Sequence, residues 1–196
     1  PVAFGYNPQT AVNNFFQKND RELPTDINLQ AQGEFAEMVR LIRNVGVNVI
    51  TVKDTEYPQT PDSIFPNNWI SFHEDGRAVL YPMFAPNRRL ERRMDVILTV
   101  ENVTGRSYKL VDYSTCELQN SFLEGTGSMV LDRHNRIAYA SLSERTDKQL
   151  LESFCKEMNY TPLSFTATQE VDGGRLPIYH TNVMMCVCDE LAVVCT

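Results

Sequence analysis

The chain lacks several features that would assign it to a class outright. It has no window of 18 consecutive apolar residues, and no charged start leading into an apolar core. Neither a membrane-spanning helix nor a secretory signal is therefore read from it. Positive charge is scarce: 18 Lys and Arg stand against 25 Asp and Glu, for a net charge of −7. The one basic cluster, "NRRLERR", reads as part of a helix. A nucleic-acid partner, which needs a concentrated positive face, is not expected. There is no CxxC pair, no linker and no low-complexity tract. The five cysteines are odd in number and irregular in spacing, which points to a reducing cytoplasm rather than a disulfide framework. There is no initiating methionine, and the chain opens on Pro1 and closes on "VVCT" in mid-strand, so both ends are expected to be cut.

What is present is an ordinary globular composition, 42% hydrophobic and 22% charged, and residues 1–196 are expected to form one domain. Three segments look alike. "NWISFHEDGRAVLYPM" starts at Asn68, "GSMVLDRHNRIAYASL" at Gly127 and "NVMMCVCDELAVVCT" at Asn182, with starts 59 and 55 residues apart. Each is an apolar run, a short polar turn and a second apolar run, the pattern of a β-hairpin. Between them the period becomes helical. Leu90, Met94 and Ile97 share one face, and Leu150, Leu151, Phe154, Cys155 and Met158 share another, the latter opening on a Thr146–Gln149 capping box. The strands "SYKLVDY" and "TPLSFTAT" follow. Upstream, Ala31, Phe35, Met38, Ile42 and Val45 line a helix capped by Gly46, ahead of a strand "VNVITV". The unit is thus hairpin, helix, strand, an α/β repeat too small to bury its sheet without neighbours.

Repeats that meet at a centre put equivalent strand ends together. The hairpin entrances "PDSIFPNN", "FLEGTG" and "YHTN" offer Asp62, Asn67, Asn68, Glu124, His180 and Asn182. A carboxylate and a histidine converging from different units are the usual parts of acid–base or nucleophilic catalysis. Each has a plainer reading: Asn67 and Asn68 as turn residues, Glu124 as a turn flank, His180 as a satisfied structural histidine. Their common register across three units argues against that reading. Cys186, Cys188 and Cys195 fall on two strands of one hairpin that is apolar on both faces. They are expected to be buried, inert and not metal ligands.

"PDSIFPNNWISFHEDGRAVLYPMFAPNRRLE", "FLEGTGSMVLDRHNRIAYASLSERT" and "YHTNV" resemble the guanidino-group-modifying enzymes: dimethylargininases, arginine deiminases and amidinotransferases. The nearest likeness is to the citrulline-utilisation hydrolases. The resemblance covers nearly the whole chain, in order. It implies the pentein fold, a propeller of five ββαβ units, of which about three and a half are present here. Five units at this period need ~300 residues. It also implies a nucleophilic cysteine in the fifth unit, beyond this chain, and none of the five cysteines present is carried over to that role. Glu124 matches the glutamate of the family's E-G-G-D motif, with Gly127 where that motif usually has Asp, and His180 matches the catalytic histidine. Asn68 and Asn182 replace two guanidinium-gripping aspartates. Asp62 matches a substrate-contacting aspartate, and Arg88 or Arg89 together with Arg145 match arginines that hold the substrate's α-carboxylate. Without the resemblance those arginines would read as a solvated helix start or loop.

A guanidinium offers only donors and a positive charge, which suits an ionised Asp, whereas a ureido group is neutral and offers donors and an acceptor. Asn can pair with it without leaving a buried charge uncompensated. The expected activity of the complete protein is therefore Cys–His covalent hydrolysis of citrulline to ornithine, ammonia and carbon dioxide, with no metal and no cofactor. This fragment is expected to be inactive alone. The competing expectations are an arginine or methylarginine deiminase or dihydrolase, an amidinotransferase, and a non-catalytic pentein-fold binding protein. The only partner implied is a small amino-acid substrate, and a homodimer is compatible with the sequence.

Overall fold

The computed structural model describes residue 2, residues 4–17 and residues 27–195. The two chain ends discussed above, Pro1 and Thr196, lie outside the described residues. The chain separates into two compact units, one of residues 1–66 and 85–108, the other of residues 67–84 and 109–196.

The first unit is helical. Helix α1 spans Ile27–Asn44 and ends on Gly46, whose φ is +86°. The Val47 N–H reaches back to the Ile42 carbonyl at 3.3 Å, closing a Schellman-type turn that only glycine enters without strain. The cap is as expected, but the apolar face is not. Val39 is buried while Met38 and Val45 are exposed, so α1 uses a narrower stripe than its periodicity suggested. "VNVITV" forms no strand: no other strand pairs with it, and β-propensity without a ladder leaves the backbone irregular. The "NRRLERRMDVILTV" stretch is two helices, α2 (Pro86–Arg89) and α3 (Met94–Thr104), separated at Arg93, which is extended. Pro86 starts α2 where its missing N–H costs nothing. Of the expected face, Ile97 is buried, but Leu90 and Met94 are about half exposed.

The second unit holds the sheets. Strands β1 (Ile70–Phe72) and β2 (Arg77–Leu80) form the first hairpin, with Ile70 opposite Leu80, and β3 (Lys109–Asp112) adds in parallel to β2. The pattern recurs: β4 (Val130–Asp132) and β5 (Ile137–Ser141) are antiparallel, and β6 (Thr161–Phe165) lies parallel to β5. Two helices lie in this stretch, the short α4 (Gly125–Ser128) and α5 (Lys148–Met158). Parallel pairing needs a crossover, and α5 supplies it between β5 and β6. All five residues expected to line α5 are buried, and they pack with Val79, Tyr81, Leu123, Met129, Ala138 and Ala140 into one core. The cap of α5 is Asp147, which accepts the Leu150 N–H at 2.8 Å. Thr146 instead pairs with Ser143 through the backbone, and the Asp147 N–H donates to the Phe122 carbonyl, so the N-cap lies one residue later than expected and no reciprocal capping box forms.

A hairpin not anticipated is β7 (Thr168–Val171) with β8 (Gly174–Pro177). Its turn, Asp172-Gly173, has φ values of +50° and +80°, and the Asp-Gly pair there is a strong hairpin signal. The third repeat hairpin, β9 (Met185–Val187) with β10 (Ala192–Val194), forms as expected, with Val193 opposite Cys186. Its burial is the reverse of the expectation. Among the described residues the two strands pair only with each other, and Cys186, Cys188 and Cys195 are all free and exposed.

Candidate functional site

The second unit brings the three hairpin entrances together. Glu124 precedes α4, His180 precedes a short 3-10 turn at Thr181–Val183, and Asn68 closes another at Pro66–Asn68. His180 Nε2 lies 2.7 Å from Glu124 Oε2, with both side chains buried. An ionised carboxylate can only accept, so the Nε2 proton points at Glu124. The neighbouring Nδ1–Cε1 edge of the ring faces Gly127. Glu124 is engaged further. Its Oε1 accepts the Phe84 N–H at 2.9 Å, and Oε2 lies 3.5 Å from Arg145 Nη1. Glu124 is fully buried and Arg145 is 1% exposed, so this ionic contact is shielded from solvent. The Arg145 guanidinium also faces the rings of Tyr179 at 5.0 Å and Phe84 at 5.8 Å.

Small hydroxyl side chains hold this frame. Thr181 Oγ1 donates to the Ser128 carbonyl at 2.5 Å and accepts from the Ser141 N–H at 2.8 Å. Ser128 Oγ donates to the Arg145 carbonyl at 2.7 Å and accepts from the Glu124 N–H at 2.9 Å. Ser143 Oγ donates to the Tyr179 carbonyl at 2.8 Å. Thr181 ties the third entrance to α4 and to the end of β5, Ser143 ties it to the loop after β5, and Ser128 ties α4 to that same loop. Sequence reasoning missed Ser128, Thr181 and Ser143. Their only signal was position beside the residues that were singled out.

Asn68 is buried and its amide turns toward Gly127, whereas Asn67 contributes its backbone: the Asn67 carbonyl accepts from Thr126 Oγ1 at 3.4 Å. Asn182 is exposed and makes no hydrogen bond among the described residues. Arg145, expected to hold a substrate carboxylate, is buried with its Nη1 3.5 Å from Glu124 Oε2.

Asp62, Arg88 and Arg89 belong to the first unit. Asp62 is buried and accepts from Asn7 Nδ2 at 2.7 Å and Thr10 Oγ1 at 3.2 Å. Arg88 is buried, forms a two-pronged ion pair with Glu91 at 2.9 Å on each prong, and lies 3.8 Å from Asp62. Arg89 is half-buried. Asn7, Thr10 and Glu91 were not singled out from the sequence. Among the described residues, no group of three His, Cys, Asp or Glu side chains is placed to hold a metal ion. No helix among them is long and apolar enough to cross a membrane.

A sequence model of the family described as "N,N dimethylarginine dimethylhydrolase, eukaryotic" matches residues 1–196. The chain belongs to that family. No curated protein matches it. Among solved structures, it is similar to the N-terminal domain of ArgZ bound to substrate, an arginine dihydrolase from the ornithine-ammonia cycle in Cyanobacteria. The TM-score is 0.66 at 17% identity, over 96% of this chain and 60% of that one. It is similar to a dimethylarginine dimethylaminohydrolase carrying a 4-chloro-2-hydroxymethylpyridine adduct, with a TM-score of 0.59 at 14% identity, over 85% of this chain and 60% of that one. AgrE in complex with L-arginine matches with a TM-score of 0.62 at 17% identity, over 98% of this chain and 25% of that one. The chain thus spans 60% or less of the length of these relatives in fold. The α/β pentein fold implied by the sequence resemblance is the fold of these neighbours, of which this chain covers part. The resemblance to guanidino-group enzymes holds at the level of the dimethylarginine dimethylhydrolase family, a coarser statement than the citrulline branch expected from the sequence.

Proposed function

We propose that the complete protein is a C–N hydrolase acting at the guanidino- or ureido-type carbon of an amino-acid side chain, with the neutral ureido group of citrulline as its preferred target. The observation that carries the reading is the buried Glu124–His180 contact with the Asn68 amide beside it. Glu124 is the carboxylate that His180 meets, and its oxygens are already committed to His180, Arg145 and the Phe84 N–H. A guanidinium needs negative charge opposite it, and a buried Asn supplies none. A ureido group can pair with Asn through both a donor and an acceptor.

In the proposed reaction a cysteine thiolate, supplied by the part of the protein beyond this chain, attacks the ureido carbon. The S–C bond forms, the C–N bond breaks, and His180 delivers a proton to the departing amine. His180 then takes a proton from water, whose hydroxide displaces the thiolate from the carbamoyl carbon. Carbamate leaves and falls apart to ammonia and carbon dioxide, and ornithine is the other product. Glu124 keeps the imidazole oriented, and Arg145 stabilises the Glu124 carboxylate. The substrate-contacting roles of Asp62, Arg88, Arg89 and Asn182 rest on the sequence resemblance alone.

The second reading is an arginine- or methylarginine-directed hydrolase, favoured by the family and by fold neighbours described as arginine dihydrolases. Replacing Asn68 by Asp separates the two. On the ureido reading, Asn68→Asp lowers kcat/KM for citrulline by about 10-fold or more, since a buried charge then opposes a neutral group. An unchanged value, or a gain confined to arginine, favours the second reading.

A further inference from the structure

We propose that Gly127 is a positioning residue, the point of the molecule where a missing side chain lets Asn68 and His180 converge. This deepens the hydrolase reading and rests on it. A Cβ built on Gly127 would lie within overlap distance of Asn68 Nδ2, and 2.8 Å from both Nδ1 and Cε1 of His180. Separations under about 3 Å between such atoms are repulsive, so one of the three groups would have to move. Neither neighbour is a loose surface group: Asn68 is 4% exposed and His180 is 4% exposed.

His180 meets Gly127 along its Nδ1–Cε1 edge, beside the Nε2 that meets Glu124. A methyl group there pushes the ring sideways and swings Nε2 out of line with Glu124. The Asn68 amide occupies the volume a residue-127 side chain would fill, so the polar group beside the imidazole comes from the first hairpin entrance rather than from α4. Gly125 does a related job with the backbone. It holds a φ of +48°, and its Cβ would overlap the Asn67 carbonyl oxygen, with the Asn68 carbonyl and the Tyr81 ring each 3.1 Å away. Gly125 is required for conformation as well as room, while Gly127 is required for room alone. Alanine at 127 therefore reports on the side-chain contacts without the backbone strain that alanine at 125 adds.

The test uses full-length protein, with Gly127→Ala compared against Gly33→Ala, a helix position where an added Cβ meets nothing within 4 Å. Two readouts are taken: steady-state kinetics with citrulline and with arginine, and the downfield proton resonance of the His180 ring N–H held by Glu124. In Gly127→Ala, turnover should slow by about 100-fold or more, the scale on which a displaced catalytic group is felt, with a smaller change in KM. The resonance should be lost or displaced. Gly33→Ala should leave both readouts unchanged. If Gly127→Ala does not fold, Asn68→Ala/Gly127→Ala, which removes the nearer clash, should recover folded protein by circular dichroism. Wild-type kinetics with an unmoved resonance in Gly127→Ala would overturn the proposal, as would failure of the double variant to recover the fold. A wild-type enzyme inactive on every guanidino and ureido substrate would sink the hydrolase reading instead, while the resonance would still report on Gly127.

Discussion

Glu124 and His180 are separated by 56 positions in the chain and by 2.7 Å in the fold, with less than a tenth of either side chain exposed. The Glu124 carboxylate meets the imidazole at Nε2 and holds the orientation of the ring. Glu124→Gln keeps the shape but removes the charge and can present an N–H where an acceptor is needed. In the full-length protein this variant should turn over substrate more slowly by about 10²–10⁴-fold, the usual share of an oriented acid–base group. Steady-state kinetics on the purified variant checks it.

Arg145 is the largest of the fully buried side chains, and its guanidinium meets Glu124. Removing one partner of a buried pair leaves the other charge uncompensated. Arg145→Met should therefore cost about 3–5 kcal/mol of stability, read by denaturant unfolding. The same variant distinguishes two roles in catalysis. Acting through Glu124, it should slow a carboxylate-bearing substrate and its decarboxylated analogue by the same factor. Acting as a carboxylate clamp, it would raise KM for the first alone.

His73 lies in the turn of the first hairpin, 5% exposed, with Nε2 2.8 Å from Ser71 Oγ. Burial, and then the charge of Arg133, push its imidazole down to about 4. The unfolded chain takes up the same proton near pH 6.5. Between those values the unfolded state binds more protons, so stability should fall as pH drops from about 6.5 to about 4 and be insensitive to this group above that range. Urea midpoints at pH 7 and pH 5 for wild type and His73→Gln test this. The wild type should lose more than the variant, and equal losses would contradict the assignment.

Much of this was legible before any coordinates. The three hairpins, the amphipathic face of α5 and the convergence of Glu124, Asn68 and His180 follow from periodicity and register, because a repeat that stacks on itself places equivalent strand ends together. What escaped the sequence was set by neighbours. Met38 and Val45 have the spacing of a buried stripe, yet α1 buries only Val39. The third hairpin is apolar on both faces, yet β9 is only half-buried and β10 is exposed: among the described residues no third strand joins their ladder as β6 joins β5. The inward turn of Arg145 could not be read from "LSERT", since it depends on a carboxylate 21 residues upstream and on the Phe84 and Tyr179 rings. The Asp172-Gly173 turn, by contrast, carries its hairpin signal in the sequence itself.

The central claim is hydrolysis of a neutral ureido carbon by the Glu124–His180 frame, and the direct measurement is product analysis on the full-length protein. Citrulline, arginine and dimethylarginine are supplied separately, and ornithine, citrulline and ammonia are quantified. The account predicts ornithine and ammonia from citrulline, at a kcat/KM well above that for arginine or dimethylarginine, and abolished in His180→Ala. Turnover of arginine or dimethylarginine with none of citrulline would contradict it.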